Sequence, residues 1–341
     1  MRRALTACLK ALGVMALALL LAEFGLRCAG YHRTVMYERR GDLLFTPVPH
    51  QDCLEKISLT RTHINNYGLR GPDLAPADLR KAVVLCLGDS ITHGYGVNDA
   101  EAYPGQLQAR LDQAAPGGYT VLNGGVNAYP IAFMRQKYLY LLGQGIRPEL
   151  VVVGYSMNEG LLDRYVDADD ATKDEFARRV QWKNFLRSKA LYNIVVENWA
   201  RHYYDRMKAR FAPGLHGPAG AAVDPVAVYR RHLENLVRDV REQGAALVFV
   251  VFASFNGQTG KYDTGGVLQQ EMIRFAEDNG IPLVRADEVL AAALKPGEAP
   301  DAFYQDACHL NGRGCGILAD ELARIVRNLR PAAKTHGPES T

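Results

Sequence analysis

Two uninterrupted apolar runs restrict the fold of this chain more than any other feature. Ala82–Leu87 reads AVVLCL and Leu150–Gly154 reads LVVVG. A strand with one wet face alternates apolar and polar residues. A run without alternation is buried on both faces, as in a parallel sheet covered by helices. Tyr119–Leu122, Ala246–Phe252 and Ile281–Arg285 are three further strand candidates. Between the candidates stand segments of helical period: Tyr103–Asp112, Ile131–Leu142, Val226–Gln243, Gly266–Asn279 and, last, Gly314–Leu329. Pro225 and Gly244 bracket one of these helices, and Gly280 ends the next. Strands alternating with helices predict an α/β fold, a doubly wound, flavodoxin-like, five-stranded parallel sheet flanked by helices.

Composition narrows the class further. The 341 residues are 48% apolar and 23% charged, which excludes a mostly disordered chain, a collagen and a coiled coil. The net charge of +3 gives no ground for a nucleic-acid partner. Six cysteines are too few for a disulfide scaffold, and no pair has CxxC spacing. HExxH, GxxxxGK[ST] and a dinucleotide-type glycine loop are all missing, so neither metal nor cofactor is expected.

The ends and one internal segment depart from the alternation. Arg2, Arg3 and Lys10 precede twelve apolar or small residues, Ala11–Ala22, within a longer apolar stretch from Ala4 to Leu26. Residues 1–30 are therefore expected to be a signal anchor or transmembrane segment, with a cleaved signal or an amphipathic helix packed on the domain as alternatives. The basic N-terminus implies that the rest of the chain lies outside the cytoplasm, membrane-anchored. Residues 31–80 are polar, carry four prolines and read as a linker and irregular lead-in. The main domain spans 81–330, with a helical insertion at about 160–224, and residues 331–341 read as a disordered tail. Within the insertion, Arg178–Arg210 holds nine Lys or Arg, and Phe185, Tyr192 and Trp199 recur every seven residues. That spacing predicts a helix packing an aromatic stripe on the core, or else a lid or a surface meeting anionic lipid or polysaccharide.

Two motifs carry chemistry. Gly88-Asp89-Ser90-Ile91-Thr92-His93-Gly94 follows directly on the first apolar run. In open α/β sheets, sites form beyond the carboxyl ends of strands, and a serine there can start a helix whose free N–H groups favour developing negative charge. A plain helix cap is the alternative for Ser90, and a turn or capping carboxylate is the expectation for Asp89. Near the C-terminus stands Asp306-Ala307-Cys308-His309-Leu310-Asn311. A carboxylate three residues before a histidine can hold one ring nitrogen and leave the other as a general base. Cys308 is expected to be a buried thiol. Cys86, Cys308 and Cys315 are expected as buried thiols or as one disulfide.

The two motifs together resemble the SGNH/GDSL serine hydrolases. GDSITHGYGV is similar to the first block of that family and DACHLN to the last, in the order Ser, Asp, His. The resemblance implies Ser90 as nucleophile, His309 as base and Asp306 as its orienting partner. Asn123-Gly124-Gly125-Val126-Asn127-Ala128 resembles the second block, with Ala128 where the family has a glycine. Gly154-Tyr155-Ser156-Met157-Asn158-Glu159 resembles the third, with Glu159 in place of the usual Asp. The implied oxyanion donors are the backbone N–H groups of Ser90 and Ala128 and the side chain of Asn158. Asn65–Gly71 is similar to a lead-in of membrane-anchored bacterial members, with Arg70 equally readable as a surface arginine.

The implied activity is acyl-ester hydrolysis through an acyl-Ser90 intermediate, on a small-molecule, lipid or glycan ester. A membrane-tethered O-acyltransferase acting on cell-envelope polysaccharide and a catalytically idle binding protein are the alternatives.

Overall fold

The computed structural model describes residues 2–29, 34–55, 60–156, 162, 165–200, 224–257 and 259–329. A five-stranded parallel sheet organises the chain. Its strands are β5 (Ala82–Leu87), β6 (Tyr119–Asn123), β7 (Leu150–Tyr155), β8 (Ala246–Val251) and β11 (Leu283–Arg285). They lie in the order β11-β8-β7-β5-β6, all parallel. The first two runs of the sequence are the adjacent inner strands β5 and β7, paired from Val84 opposite Leu150 to Leu87 opposite Val153. Successive residues go to opposite faces: Val83, Leu85 and Leu87 enter one core cluster, Val84 and Cys86 the other. Both faces are covered, which is why neither run alternates.

Helices α4 (Ile131–Gly143), α7 (Pro225–Glu242) and α8 (Val267–Asp278) contribute to the first cluster through Tyr138, Leu233 and Met272. Helices α3 (Tyr103–Ala114), α9 (Ala286–Ala293) and α10 (Gly312–Leu329) contribute to the second through Leu107, Leu290 and Leu322. The expected doubly wound sheet is thus present, and its strands start and stop within two residues of the predicted runs.

The lead-in differs from the expected irregular linker. It forms two antiparallel hairpins, β1 (Tyr37–Arg40) with β2 (Leu43–Pro47), and β3 (Gln51–Glu55) with β4 (Thr60–Ile64). Leu43, Leu44, Cys53, Ile64 and Leu69 are buried. Short strands half covered by a neighbour carry too few apolar residues to stand out in a polar stretch.

The insertion also differs. Its described part holds α5 (Asp170–Arg187), the single turn α6 (Ala190–Tyr192) and a π-helical segment, Asn193–Ala200. Helix α5 packs on the first hairpin through Phe176, whose ring lies 5.9 Å from Phe45, and Arg39 pairs with Asp170 and Asp174. The aromatic stripe does not follow one face, because α5 ends at Arg187, between Phe185 and Tyr192. Trp182 and Phe185 are exposed at 66% and 56% and stack on each other at 5.7 Å. The side chain of Trp199, residues 201–223 and the tail 331–341 lie outside the described residues.

Helix α1 (Arg2–Cys28) presents its leucines to the outside. Residues 5–28 are long and apolar enough to cross a membrane, about 36 Å at 1.5 Å per residue against a hydrocarbon core of about 30 Å. Among the described residues, hydrogen bonds from α1 to the domain lie at the C-terminal end of the helix, where one of the alternatives, packing on the domain, is met in part. There the Glu23 carboxylate accepts from the backbone N–H groups of Ala190 (3.0 Å) and Leu191 (2.9 Å), and Arg27 donates to the Ser188 carbonyl (2.7 Å).

Lys137, on α4, is fully buried and donates to Thr46 Oγ1 at 2.6 Å and to the Gly68 carbonyl at 3.4 Å. Burial, helped by the charge of Arg40, brings its pKa down to about 7. In the unfolded chain the proton stays on to about pH 10. Folding therefore expels it between about pH 7 and pH 10, and this group's contribution to stability rises with pH across that window. Urea unfolding of wild type and Lys137→Met should show the wild type gaining on the variant from pH 7 to pH 10. A difference that stays constant with pH would contradict a buried, uncompensated ammonium.

Candidate active site

Strand β5 ends at Leu87, and Gly88 and Asp89 lead into the one-turn helix α2, Ser90–His93. The Asp89 side chain caps this turn by accepting from the Ile91 N–H at 2.9 Å and also accepts from the Ser156 hydroxyl. Asp89 is completely buried, and burial pushes its pKa up. It is the capping carboxylate the sequence suggested. A helix of only four residues has little macrodipole, so the turn contributes fixed N–H groups rather than a field.

The turn sits in a crowded place. A Cβ on Gly88 would lie 2.0 Å from Thr92 Oγ1 and 2.9 Å from the Gly154 carbonyl. A Cβ on Gly125 would lie 2.3 Å from the His93 nitrogen. Only glycine lets the ends of β5, β6 and β7 close on one another here. Asn123 ties the same parts together: its Oδ1 accepts from the Gly125 N–H at 3.0 Å and its Nδ2 donates to the His93 carbonyl at 3.3 Å. His93 is buried, with its Nδ1 3.2 Å from the Gly125 carbonyl.

The last motif reaches this turn from the far end of the chain. His309 Nε2 lies 2.9 Å from Ser90 Oγ, and His309 Nδ1 lies 2.8 Å from Asp306 Oδ2. Asp306 Oδ1 accepts from the backbone N–H groups of Cys308 (2.9 Å) and His309 (2.7 Å), so one carboxylate shapes the loop and holds the ring. Burial raises the Asp306 pKa, but the hydrogen bonds from His309 and Cys308 outweigh it and hold the carboxylate ionised well below its usual range. Burial lowers the His309 pKa, and the Asp306 hydrogen bond and charge reverse this, so it stands above the ordinary imidazole value. The ring of Tyr95 lies against the imidazole, centroids 4.6 Å apart. Ser90, His309 and Asp306 can therefore pass a proton from a hydroxyl to an oriented imidazole.

The remaining expected residues fare differently. Ala128 follows β6 with φ +65°, the left-handed conformation that a glycine would take without strain. Asn158 lies outside the described residues, as does Glu159. Cys308 is not a fully buried thiol: it is partly exposed, with Sγ 3.5 Å from His309 Nδ1. Cys86 and Cys315 are buried free thiols, so the disulfide alternative is not realised.

Arg70 is the residue whose role the sequence left open. It is buried at 4% exposure. Its guanidinium donates to Asp99 Oδ1 (2.6 Å) and to the carbonyls of His93 (2.8 Å), Gly94 (2.6 Å) and Val97 (2.6 Å). It thereby fixes the loop that leaves the Ser90 turn. A cavity of about 540 Å³ between α3 and β6 borders Arg70, but neither Ser90 nor His309 lines it.

A sequence model of the GDSL-like lipase/acylhydrolase family matches residues 86–317. A search of curated protein sequences finds no match. Similar solved structures include LAE5, an alpha/beta hydrolase enzyme from the metagenome of Lake Arreo, Spain, at 15% identity over 72% of this chain and 96% of that one, TM-score 0.44. The acetylxylan esterase Axe2 of Geobacillus stearothermophilus is 14% identical over 72% and 95%, TM-score 0.44. The psychrotrophic esterase EstA of a Pseudoalteromonas species is 14% identical over 73% and 98%, TM-score 0.43.

The strain at Ala128 gives a signed expectation. A left-handed alanine costs about 1–2 kcal/mol, and a glycine in its place costs roughly 0.4–1 kcal/mol through the unfolded state. Ala128→Gly should stabilise the protein by roughly 0.5–1 kcal/mol in urea titration. Destabilisation of that size would show that the methyl group packs usefully despite the backbone.

Proposed function

The chain belongs to the GDSL-like lipase/acylhydrolase family, and from that premise we propose that it is a serine esterase that works through an acyl-Ser90 intermediate. The observation that carries the reading is the hydrogen-bonded series Ser90 Oγ, His309 Nε2, His309 Nδ1, Asp306 Oδ2 at 2.9 and 2.8 Å. His309 takes the hydroxyl proton as Ser90 Oγ bonds to the ester carbonyl carbon. The proton then passes to the departing alcohol oxygen as the old ester bond breaks. Water attacks the acyl-serine, gives its proton to His309, and the carboxylic acid leaves with Ser90 restored. The proposed oxyanion donors are the N–H groups of Ser90 and Ala128 and the Asn158 side chain, each worth about 10²–10³ in turnover.

Hydrolysis of p-nitrophenyl acetate, butyrate and octanoate tests this. Ser90→Ala should abolish turnover, and Asp306→Asn should lower it by about 10⁴-fold by holding the imidazole in the wrong tautomer. A folded wild type without activity on any chain length, or an active Ser90→Ala, would overturn the proposal.

We further propose that α1 anchors the chain in a membrane with the hydrolase part outside the cytoplasm. The basic residues Arg2 and Arg3 at the start of α1 support that orientation. The exposed Trp182–Phe185 pair supports a domain seated close to the bilayer, with Lys189 Nζ 5.3 Å from the Phe185 ring centroid. These residues stand beside α6, which Glu23 of the anchor caps. The chain has two tryptophans, so Trp199→Phe leaves Trp182 as sole reporter. In vesicles of brominated phospholipid, Trp182 fluorescence should be quenched relative to unbrominated vesicles. Flotation of the protein with the vesicles without quenching would leave the anchor intact and overturn the seating.

A further inference from the structure

The turn that carries His309 holds more donor atoms than ester hydrolysis uses. Asp306, Cys308 and His309 each aim a ligand atom into one place, all within 4.8 Å of one another. Cys308 Sγ is 3.5 Å from His309 Nδ1. A tetrahedral zinc ion, with a sulfur at about 2.3 Å and a nitrogen at about 2.0 Å, holds those two atoms about 3.5 Å apart. The same geometry needs about 3.3 Å between nitrogen and carboxylate oxygen, and Asp306 Oδ2 stands at 2.8 Å. The Asp306 side chain is 47% exposed, so it has room to retreat by that half ångström.

We propose that Asp306, Cys308 and His309 form an inhibitory site for a soft divalent cation such as Zn²⁺ or Cd²⁺. A thiolate, an imidazole and one carboxylate suit a soft or borderline ion and discriminate against Mg²⁺ and Ca²⁺, which take oxygen ligands. Water completes the fourth position. On binding, the Cys308 thiol releases its proton to solvent and its sulfur bonds the ion. The Nδ1 of His309 also bonds the ion, and the ring's proton moves to Nε2. That nitrogen then faces Ser90 Oγ as a donor and can no longer take the hydroxyl proton. Asp306 exchanges its hydrogen bond to the ring for a bond to the ion. The cation thus removes the base and its orienting partner together. The binding stands on the donor geometry alone, and the inhibition rests on the esterase reading above.

The full chain in detergent, with Cys8→Ser and Cys28→Ser, leaves Cys308 as the one thiol not buried among the four that remain. Titration with Cd²⁺ should produce a thiolate-to-metal absorption band in the ultraviolet at one equivalent. Cys308→Ser in that background should lack it. Zn²⁺ should inhibit p-nitrophenyl acetate hydrolysis and EDTA should reverse the effect. The Cys308→Ser variant should hydrolyse the ester without added metal and need about 100-fold more Zn²⁺ for half inhibition. Mg²⁺ at the same concentrations should leave both proteins unaffected. A band that survives in Cys308→Ser would overturn the site. A band without loss of activity would overturn the inhibition, and failure of the esterase reading alone would leave the band in place.

Discussion

The close approach of three strand ends around a single turn is the constraint on which the rest of this structure depends. β5 is an inner strand between β7 and β6, buried on both faces, and stops where Gly88 has no room for a side chain. Gly125, after β6, is pressed against the backbone of the Ser90 turn in the same way. The serine is therefore fixed by the core, with no loop of its own to move on. Thr92 continues this packing, since its hydroxyl accepts from Tyr103 Oη at 3.2 Å. The order β11-β8-β7-β5-β6 reverses direction at β5, and a sheet that reverses leaves a crevice at that point. Topology and glycine placement together put one hydroxyl at the mouth of the crevice.

Arg70 extends this argument to the N-terminal part of the chain. A buried guanidinium is expensive unless its donors are met. Here Asp99 supplies the counter-charge, the Arg61 carbonyl accepts at 3.4 Å, and three further carbonyls take the other donors. Those carbonyls belong to residues 93, 94 and 97, so the interaction closes the loop behind the serine. Arg70, a residue of the lead-in, is consequently part of the site's support. The backbone says the same: the Arg70 N–H donates to the Asn123 carbonyl at 3.1 Å, extending the edge of the sheet with a residue of the lead-in.

How much of this was legible in the sequence follows from the range of each interaction. The sheet was legible because burial on both faces leaves a run of apolar residues that needs no partner to be recognised. Ser90, Asp306 and His309 were legible because each lies in a short motif, and Asp306 meets His309 within three residues. Arg70 was not, since a buried arginine and a surface arginine look alike until their partners, 23 to 29 residues away, are known. The hairpins of the lead-in were missed because each buries its residues against elements far along the chain. β2 holds Phe45 against Phe176 and Tyr129, and no local period announces that. The seven-residue spacing of Phe185, Tyr192 and Trp199 misled for the opposite reason. It is a local pattern across a break that tertiary contacts impose, where Glu23 of α1 caps a new turn at Ala190.

The two halves of the candidate site are held by different physics. Ser90 sits at the end of a buried strand, whereas Asp306 and His309 ride on a turn with one side in solvent. Tyr304 and Leu310 anchor the two ends of that turn in the second core cluster, and hydrogen bonds set the position of the residues between. The Gln305 N–H donates to the His309 carbonyl at 3.0 Å, and the Gln305 side chain donates to Tyr95 O (2.6 Å) and Leu310 O (2.9 Å). The Phe255 N–H donates to the Ala307 carbonyl at 2.8 Å, and Tyr304 Oη donates to Ala253 O at 2.9 Å. In the first set the Tyr95 bond ties the turn to the loop following Ser90 while the other two close the turn on itself, and the second set binds it to the β9 hairpin (Ser254–Asn256 with β10, Lys261–Asp263) beyond β8. Each bond is worth only about 1 kcal/mol net, but together they fix the imidazole relative to a serine 219 residues away. The partly open side of the turn also leaves Asp306 and Cys308 within reach of solvent, and with it of anything dissolved there. The imidazole of this candidate site is thus held firmly toward the serine and thinly toward the outside.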